Sequence, residues 1–548
     1  MNLLHRVRAA RTLIRAEGFH AFGRIVRRLR GRIEQRRTEA EQIRRWLSAV
    51  ARARPAVRVC RSPAPVRVLL FGEGDEQRTR DSLLGAGLPA SDVCRGEAPP
   101  ALERPGERWV ALAAGDEFVP ESGNAWLGHI ADLDEGGVLY ADEVRLAPGG
   151  SLRGDLKPAW SPLLALTHPG RFPGAATAIP AQAASRRLRE GADWTDVLLR
   201  ATDEADAVRH LPLPVLRRPE RDDDPLFGPL RGRMDAVASF LADRGTAAPV
   251  SAGDDPETLS IHPRIDADPL VSLLIPTRDQ PDLLGRLLNS IERLDGGVRH
   301  EVILVDHLTT DPRALHLLEE AEKHAGVRVI REGGSFNFAR ITNTAAAEAS
   351  GDFLLMLNND TEAIDGAWLT HLVAAMHWPG VDAVGARLLY PDGTCQHAGI
   401  GLGIGTVAGH LGREWGSSGG REVFPGTGAR TAREVSAATA ACLLVRRGAF
   451  EELGGLDAGD LPVSFNDVDL CLRLTQRGGR ILYEPRAELI HHETRTRSRL
   501  LDPREVITMR QRWRSRLTED PLLPIAMNRE SECPFLDPHR ARLASTLR

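Results

Sequence analysis

The stretch Gly351–Glu362 constrains this chain more than any other. Its apolar run, Phe353 to Leu357, stops abruptly on Asn358-Asn359-Asp360. A short apolar run without alternation, bounded by polar residues, reads as a strand buried on both faces, the habit of parallel sheets. Parallel strands need long crossovers, usually helical, and ligands of open α/β sheets bind beyond the strands' carboxyl ends. Asp360 therefore stands where a divalent cation holding a diphosphate can sit, since Mg²⁺ and Mn²⁺ favour carboxylate and phosphate oxygens. An ordinary Asn/Asp turn is the plainer alternative.

The flanking sequence keeps the same rhythm. Strands are expected at 270–276, 301–306 and 327–330, and helices at 281–294, 312–323 and through Asn343 to Ser350. Pro281 suits a first helical turn. Further on, 434–445 reads as a strand, 466–476 as a helix and 480–483 as a last strand, with His491-His492 after it. The region 399–428 is glycine-rich and irregular.

An earlier part of the chain repeats this pattern. A strand at 66–71 is followed by one at 109–113 that ends on Ala114-Gly115-Asp116-Glu117, with Trp126-Leu127 beyond it. The central stretch likewise precedes Trp368-Leu369, and the segment 194–202 echoes 467–475. An internal repeat of domain size follows. The expected fold is α/β, with two Rossmann-like, mostly parallel sheets in tandem at 66–220 and 269–500. A helix and linker join them at 221–268, a helical tail occupies 501–548, and residues 52–65 form a linker.

At 548 residues the chain is too long for one core. A net charge of −4 argues against a nucleic-acid binder as a whole. The six cysteines form no C-x-x-C pair, which points to a reducing compartment. No apolar run approaches the roughly 18–20 residues of a membrane span, so the expectation is cytoplasmic. Residues 1–54 stand apart, with fifteen arginines against four glutamates and apolar residues at helical spacing. Such a basic amphipathic helix suits peripheral contact with the anionic inner face of a membrane, or packing on its own protein.

Several side chains beyond Asp360 carry chemistry. Asp306 closes a strand, where a carboxylate can accept from a base or ribose. Asp467 falls near a first helical turn, where the macrodipole favours the ionised form, so it can serve as a general base or as an N-cap. Asp469 and Arg473 are spaced for an ion pair on one helix face. His491 or His492 can offer an imidazole to the cation at Asp360.

Taken together, Val271 to Asp279, Val305-Asp306, Leu357 to Glu362, Asn466 to Arg473 and Ile490-His491-His492-Glu493 resemble, in the right order, the family 2 glycosyltransferases of GT-A fold. Val384 to Gly393 and Gln396-His397-Ala398-Gly399 resemble the bacterial O-antigen and rhamnan type. The resemblance implies a nucleotide-sugar donor (dTDP-, UDP- or GDP-linked) bound by Pro276, Thr277, Asp279, Asp306, Asn343, Asn358, Asn359 and Asp360. It implies a divalent cation (Mn²⁺ or Mg²⁺) on Asp360 and His491, and Asp467 as base in an inverting transfer to a glycan or lipid-linked glycan. His397, His410, Trp415 and Asn466 would face the acceptor. Two positions depart from the family pattern: Asn358 replaces the first carboxylate of the metal motif, and Asn466 replaces the acidic residue before the base.

The first repeat resembles a degraded copy of the same domain. Asp116 remains, but Trp194 stands where the base should be and Arg218 where the histidine should be, so this copy is expected to be non-catalytic. The alternatives are a transferase active in both halves and a non-enzymatic scaffold of a polysaccharide assembly complex. A nucleotidyltransferase is disfavoured, because no Gly-x-Gly-Thr-Arg loop follows the first strand.

Overall fold

The computed structural model describes residues 39–53, 65–96, 104–413, 428–492, 501–529, 536–537 and 540, apart from 222, 247, 256 and 266. Eight strands build the first sheet: β1 (Val66–Phe71), β2 (Val93–Arg95), β3 (Arg108–Ala113), β4 (Glu117–Phe118), β5 (Val138–Leu146), β6 (Leu152–Asp155), β7 (Thr177–Pro180) and β8 (Val208–Pro219). Their order is β2-β1-β3-β7-β5-β8-β4, with β6 on β5. A hairpin, β9 (Val250–Ala252) and β10 (Leu259–Ile261), lies inside the stretch expected to be linker.

The second region supplies β11 (Leu270–Thr277), β12 (Arg299–His307), β13 (Val327–Glu332), β14 (Phe353–Leu357), β15 (Thr361–Ala363), β16 (Val381–Leu389), β17 (Cys395–His397), β18 (Ile400–Leu402), β19 (Ala408–His410), β20 (Arg433–Glu434), β21 (Cys442–Arg446) and β22 (Arg480–His491). The sheet order is β13-β12-β11-β14-β21-β16-β22-β15, with β17 on β16 and β20 on β22, while β18 and β19 pair separately. Replacing β1, β2, β3, β4, β5, β6, β7 and β8 by β11, β12, β14, β15, β16, β17, β21 and β22 turns the first order into the second, less its edge strand β13 and the short β20. Each matched pair also keeps its parallel or antiparallel sense. The repeat is structural over eight strands.

The central strand β14 is buried at every position. It pairs parallel to β11 on one side and antiparallel to β21 on the other. Helices start where sequence favours them: Pro281 opens 281–292, Asp311 caps Pro312–Ala321, and Asn337 caps Phe338–Ala347.

Two strand expectations need correction. The run 434–445 is not one strand, because residues between β20 and β21 leave the sheet; Ala437 bridges to Ile400 and Ala440 turns its N–H to Asp467. The last strand does not end at Tyr483. Proline supplies no N–H to a ladder, yet β22 absorbs Pro485 with a register shift against β16 and runs on to His491.

The ends of the described chain are also placed differently from expectation. Arg52 belongs to the helix Glu39–Ala53, whose Ile43, Trp46 and Val50 are buried in the first core. The described part of the basic segment thus packs on its own protein, and residues 1–38 lie outside the described residues. The tail forms two helices, Pro503–Arg512 and Arg514–Thr518, then runs without helix over 519–529 and sends Leu523, Ile525, Ala526 and Met527 into the first core. A second core also crosses the boundary, joining Tyr140, Leu163 and Phe172 to β11 and β14. Polar bonds support this junction. Glu434 accepts from Ser161 Oγ and, at 3.1 Å, from Leu163 N, and Thr167 Oγ1 donates to Ala432 O at 2.9 Å. No described helix is long and apolar enough to cross a membrane.

Candidate active site

A cleft of about 740 Å³ opens at the carboxyl ends of β11, β12 and β14. Pro276, Thr277, Asp279, Asn358, Asn359 and Asp360 line it, as do Arg278, Gln280, His307, Phe336, Phe338 and His492. Six of the eight residues expected to hold a donor therefore share one cavity. The floor is cross-linked, since Asn359 Nδ2 donates to Thr277 Oγ1 at 3.1 Å, tying the end of β14 to that of β11.

Asp279 acts on a neighbouring loop. Its Oδ1 accepts from Thr310 N at 2.7 Å and Asp311 N at 2.9 Å, and these backbone bonds hold its carboxyl below the usual range. Asp279 and Gln280 both take left-handed backbone angles, φ 51° and 53°. Such a conformation is costly for non-glycine residues and needs fixed partners. Asp306 lies outside the cleft lining and accepts from Thr309 N at 3.0 Å. Asn343 lies elsewhere too, with both ends of its amide on the backbone of Leu456.

At the far lip, Asp360 meets His491. The antiparallel pairing of β15 with β22 sets Thr361 opposite His491, and His491 Nε2 comes 3.0 Å from Asp360 Oδ1. Whereas His491 stands behind Asp360 and outside the lining, His492 lines the cleft, with its Nε2 2.9 Å from Glu362 Oε2. Although burial works the other way, that contact and Arg286 keep Glu362 below its ordinary value. Of the two histidines, His491 is the one beside Asp360.

The Asp360–His491 pair fits a cation. Two donors bonded to one ion at about 2.1 Å and at right angles are separated by roughly 3.0 Å. Gln396 Oε1 lies 2.7 Å from His491 Nδ1 and orients the ring, so that Nε2 is the nitrogen turned toward Asp360. Asn358 Nδ2 is 3.4 Å from the same Nε2. No group of three His, Cys, Asp or Glu side chains gathers among the described residues. Other coordination positions would thus fall to water and to phosphate oxygens, the usual arrangement for Mg²⁺.

Asp467 does not line the cleft, but it is joined to it. Its Oδ2 accepts from Ala440 N at 3.1 Å, and its Oδ1 from Val468 N at 2.8 Å. The next residue, Ala441, accepts from Asn358 N at 3.1 Å. The carboxylate therefore sits in the first turn of the helix Asn466–Gln476, one backbone step from the end of β14. Asn466 is buried and donates to Leu461 O.

His397 and His410 come together, with their Nδ1 atoms 3.0 Å apart. Burial, with Arg413 and Arg433 adding, pushes the His397 imidazole down to about 3, so it is neutral. Trp415 lies outside the described residues. Sequence reasoning passed over Gln396, although it stands in the motif quoted with His397. It also passed over His307 and Phe336, whose rings lie 5.7 Å apart on the cleft wall with Phe336 52% exposed. The aromatic pair of Ser335-Phe336-Asn337-Phe338 was the available signal.

Comparison with known proteins gives this geometry a context. Residues 272–454 match the sequence model of Glycosyl transferase family 2. The protein y4gI of Sinorhizobium fredii is 30% identical over 452 residues, covering 77% of this chain and 48% of that protein. The O-antigen biosynthesis protein RfbC of Myxococcus xanthus is 34% identical over 372 residues, covering 66% and 29% respectively. The N-acetylglucosaminyl-diphospho-decaprenol L-rhamnosyltransferase of Mycobacterium tuberculosis is 28% identical over 215 residues, covering 36% and 68%. The chain thus spans about half of the first relative and under a third of the second.

Proposed function

This chain carries a family 2 glycosyltransferase domain at 272–454, and on that premise we propose that it moves a sugar from a nucleoside-diphosphate donor to a surface-polysaccharide acceptor of O-antigen type, lipid-linked, with inversion at the anomeric carbon. The observation that carries this reading is the 3.0 Å approach of His491 Nε2 to Asp360 Oδ1 at the lip of the cleft. The names of RfbC and of the diphospho-decaprenol rhamnosyltransferase favour the acceptor class.

In this reading Thr277, Asn359 and the loop fixed by Asp279 receive the nucleotide, and Asp360 and His491 hold Mn²⁺ or Mg²⁺. When bound, the cation neutralises charge developing on the leaving diphosphate. Asp467 accepts the proton of the acceptor hydroxyl as its oxygen attacks the anomeric carbon from the face opposite the diphosphate. Bonds from Ala440 N and Val468 N fix the carboxylate for that task. The first sheet serves as a structural or acceptor-binding partner, and the part of the basic segment ahead of the packed helix Glu39–Ala53 as a peripheral contact with the inner membrane face.

The test is sugar transfer by the purified chain, using a panel of dTDP-, UDP- and GDP-sugars with Mn²⁺ and a polyprenyl-diphosphate glycan. Asp467→Asn is expected to lower the rate by about 10²–10⁴-fold without changing the donor-induced rise in melting temperature. Wild-type rates in that variant would remove Asp467 from the reaction. Absence of turnover or donor hydrolysis with every donor would favour the scaffold alternative.

A further inference from the structure

The turn that presents Asp467 is not self-supporting. Phe465, immediately before the helix, has φ 62°, a left-handed angle that L side chains rarely adopt. Val463 N and Ser464 N precede that helix, and both donate to one oxygen, Glu505 Oε1, at 2.8 and 2.9 Å. Glu505 is 2% exposed and belongs to the helix Pro503–Arg512, outside the catalytic sheet. At the other end of that helix, Arg512 donates to Asp469 Oδ1 at 2.8 Å and to Asp457 Oδ2 at 2.9 Å. Asp469, two residues past Asp467, is fully buried and also accepts from Trp513 Nε1 at 2.9 Å. The opposite side of the same loop is bonded to the cleft wall, where Asn337 Nδ2 donates to Ala458 O at 2.9 Å and Ala339 N to Pro462 O at 3.1 Å.

We propose that Glu505 and Arg512 are positioning residues for Asp467: from the helix Pro503–Arg512 they brace the loop 457–465 and the first helical turn, and so fix where the base meets the acceptor hydroxyl. This inference rests on Asp467 being the base. A carboxylate accepting two backbone N–H groups makes strong, directional bonds, and a displacement of about 1 Å in a reacting group costs on the order of 100-fold in rate. Neither side chain lines the donor cleft, so their removal should spare donor binding.

The experiment compares Glu505→Ala, Glu505→Gln and Asp467→Asn in the full chain. Three quantities are read: kcat at saturating donor and acceptor, the donor-induced thermal shift with Mn²⁺, and amide exchange of residues 463–467. Glu505→Ala should lower kcat by about 100-fold, keep the donor-induced shift, and lose protection at Val463 and Ser464. Glu505→Gln keeps an accepting oxygen and should recover most of the rate and protection. If Glu505→Ala does not fold, Arg512→Lys decides, with lower kcat and an unchanged donor shift expected. The inference falls alone if Asp467→Asn is inactive while the brace variant keeps full kcat, or loses donor binding in step with rate. If Asp467→Asn works at the wild-type rate, the functional reading falls first and takes this one with it.

Discussion

Where the second sheet sets Asp360 beside the imidazole of His491, the first sets Asp116 among guanidiniums. Arg218 Nε lies 2.9 Å from Asp116 Oδ2, and Arg221 Nη1 lies 2.9 Å from Oδ1. Asp116 is fully buried, and Ala113 N donates to it as well. Arg218 continues to Asp224 at 3.0 Å and Glu143 at 3.7 Å, and Glu143 in turn holds the buried Lys157 at 2.6 Å. These carboxylates raise the Arg218 guanidinium well above its ordinary value despite its burial. One strand plan thus supports two states of the same corner. In the second sheet a carboxylate and an imidazole lie 3.0 Å apart, where the proposed cation would be held; in the first, the chain's own arginines neutralise the carboxylate permanently. Trp194, at the start of the helix matching Asn466–Gln476, is buried against Phe71 and offers no base. On the proposed reading, the first copy keeps its acid and lacks the chemistry because the partner of the acid changed.

The contrast can be broken most directly by His491→Arg, which gives the second sheet the first sheet's solution. Transfer should fall by about a thousand-fold, equivalent to several kcal/mol of lost charge stabilisation, and its response to added Mn²⁺ should vanish. Retention of metal-dependent turnover in that variant would show that the imidazole is not the distinguishing feature. The converse change, Arg218→Ala, leaves Asp116, Asp224 and Glu143 buried without their shared cation. It should destabilise the protein by about 3–5 kcal/mol in urea unfolding while leaving the rate per folded molecule alone.

A smaller effect is expected at Gln396, which has no counterpart to perform in a sheet without the histidine. Gln396→Ala should weaken Mn²⁺ binding by about 10–100-fold, read by electron paramagnetic resonance titration of the free protein. The smallest effect concerns pH. Each sheet buries an imidazole held neutral, His168 mainly by burial and Arg171, and His397 with its value pushed down to about 3. Below about 6.5 the unfolded chain takes up a proton that the folded His397 refuses, so stability falls as pH falls toward 3. Between pH 7 and 5.5 this group alone removes about 1 kcal/mol, and His397→Gln should shrink the urea-midpoint loss by that share while His168 keeps its own.

Much of this was legible in the sequence for a physical reason. Fully buried strands such as Phe353–Leu357 and Val66–Phe71 advertise themselves as apolar runs, and their polar stops mark the sheet edge where ligands gather. The helix Asn466–Gln476 was equally plain from its apolar period, although Phe465 gives it no side-chain cap. What escaped depends on the third dimension. Pro485 argues for a strand end, yet a bulge carries β22 six residues further and delivers His491 into the ladder. Asn343 looks like a donor ligand until the Leu456 backbone claims both ends of its amide. Gln396 and Glu505 lie far along the chain from the groups they steer, and no local spacing links them. Arg218 could be located by counting, but that it would fill the corner rather than merely lack a histidine required its neighbours.

The residues Leu523, Ile525, Ala526, Met527 and Leu536 complete the core of the first sheet, and Leu536 N donates to Gln42 Oε1 at 3.1 Å. A nascent chain ordinarily settles its leading domain while the remainder is still being made. Here the leading sheet must wait with an open apolar flank until the far segment emerges from the ribosome and closes it. Proteolytic trimming near residue 518 would therefore open the core of the first sheet, and it would also remove the buried Asp520, which accepts from Leu402 N at 2.7 Å and Ser436 Oγ at 2.6 Å in the second region.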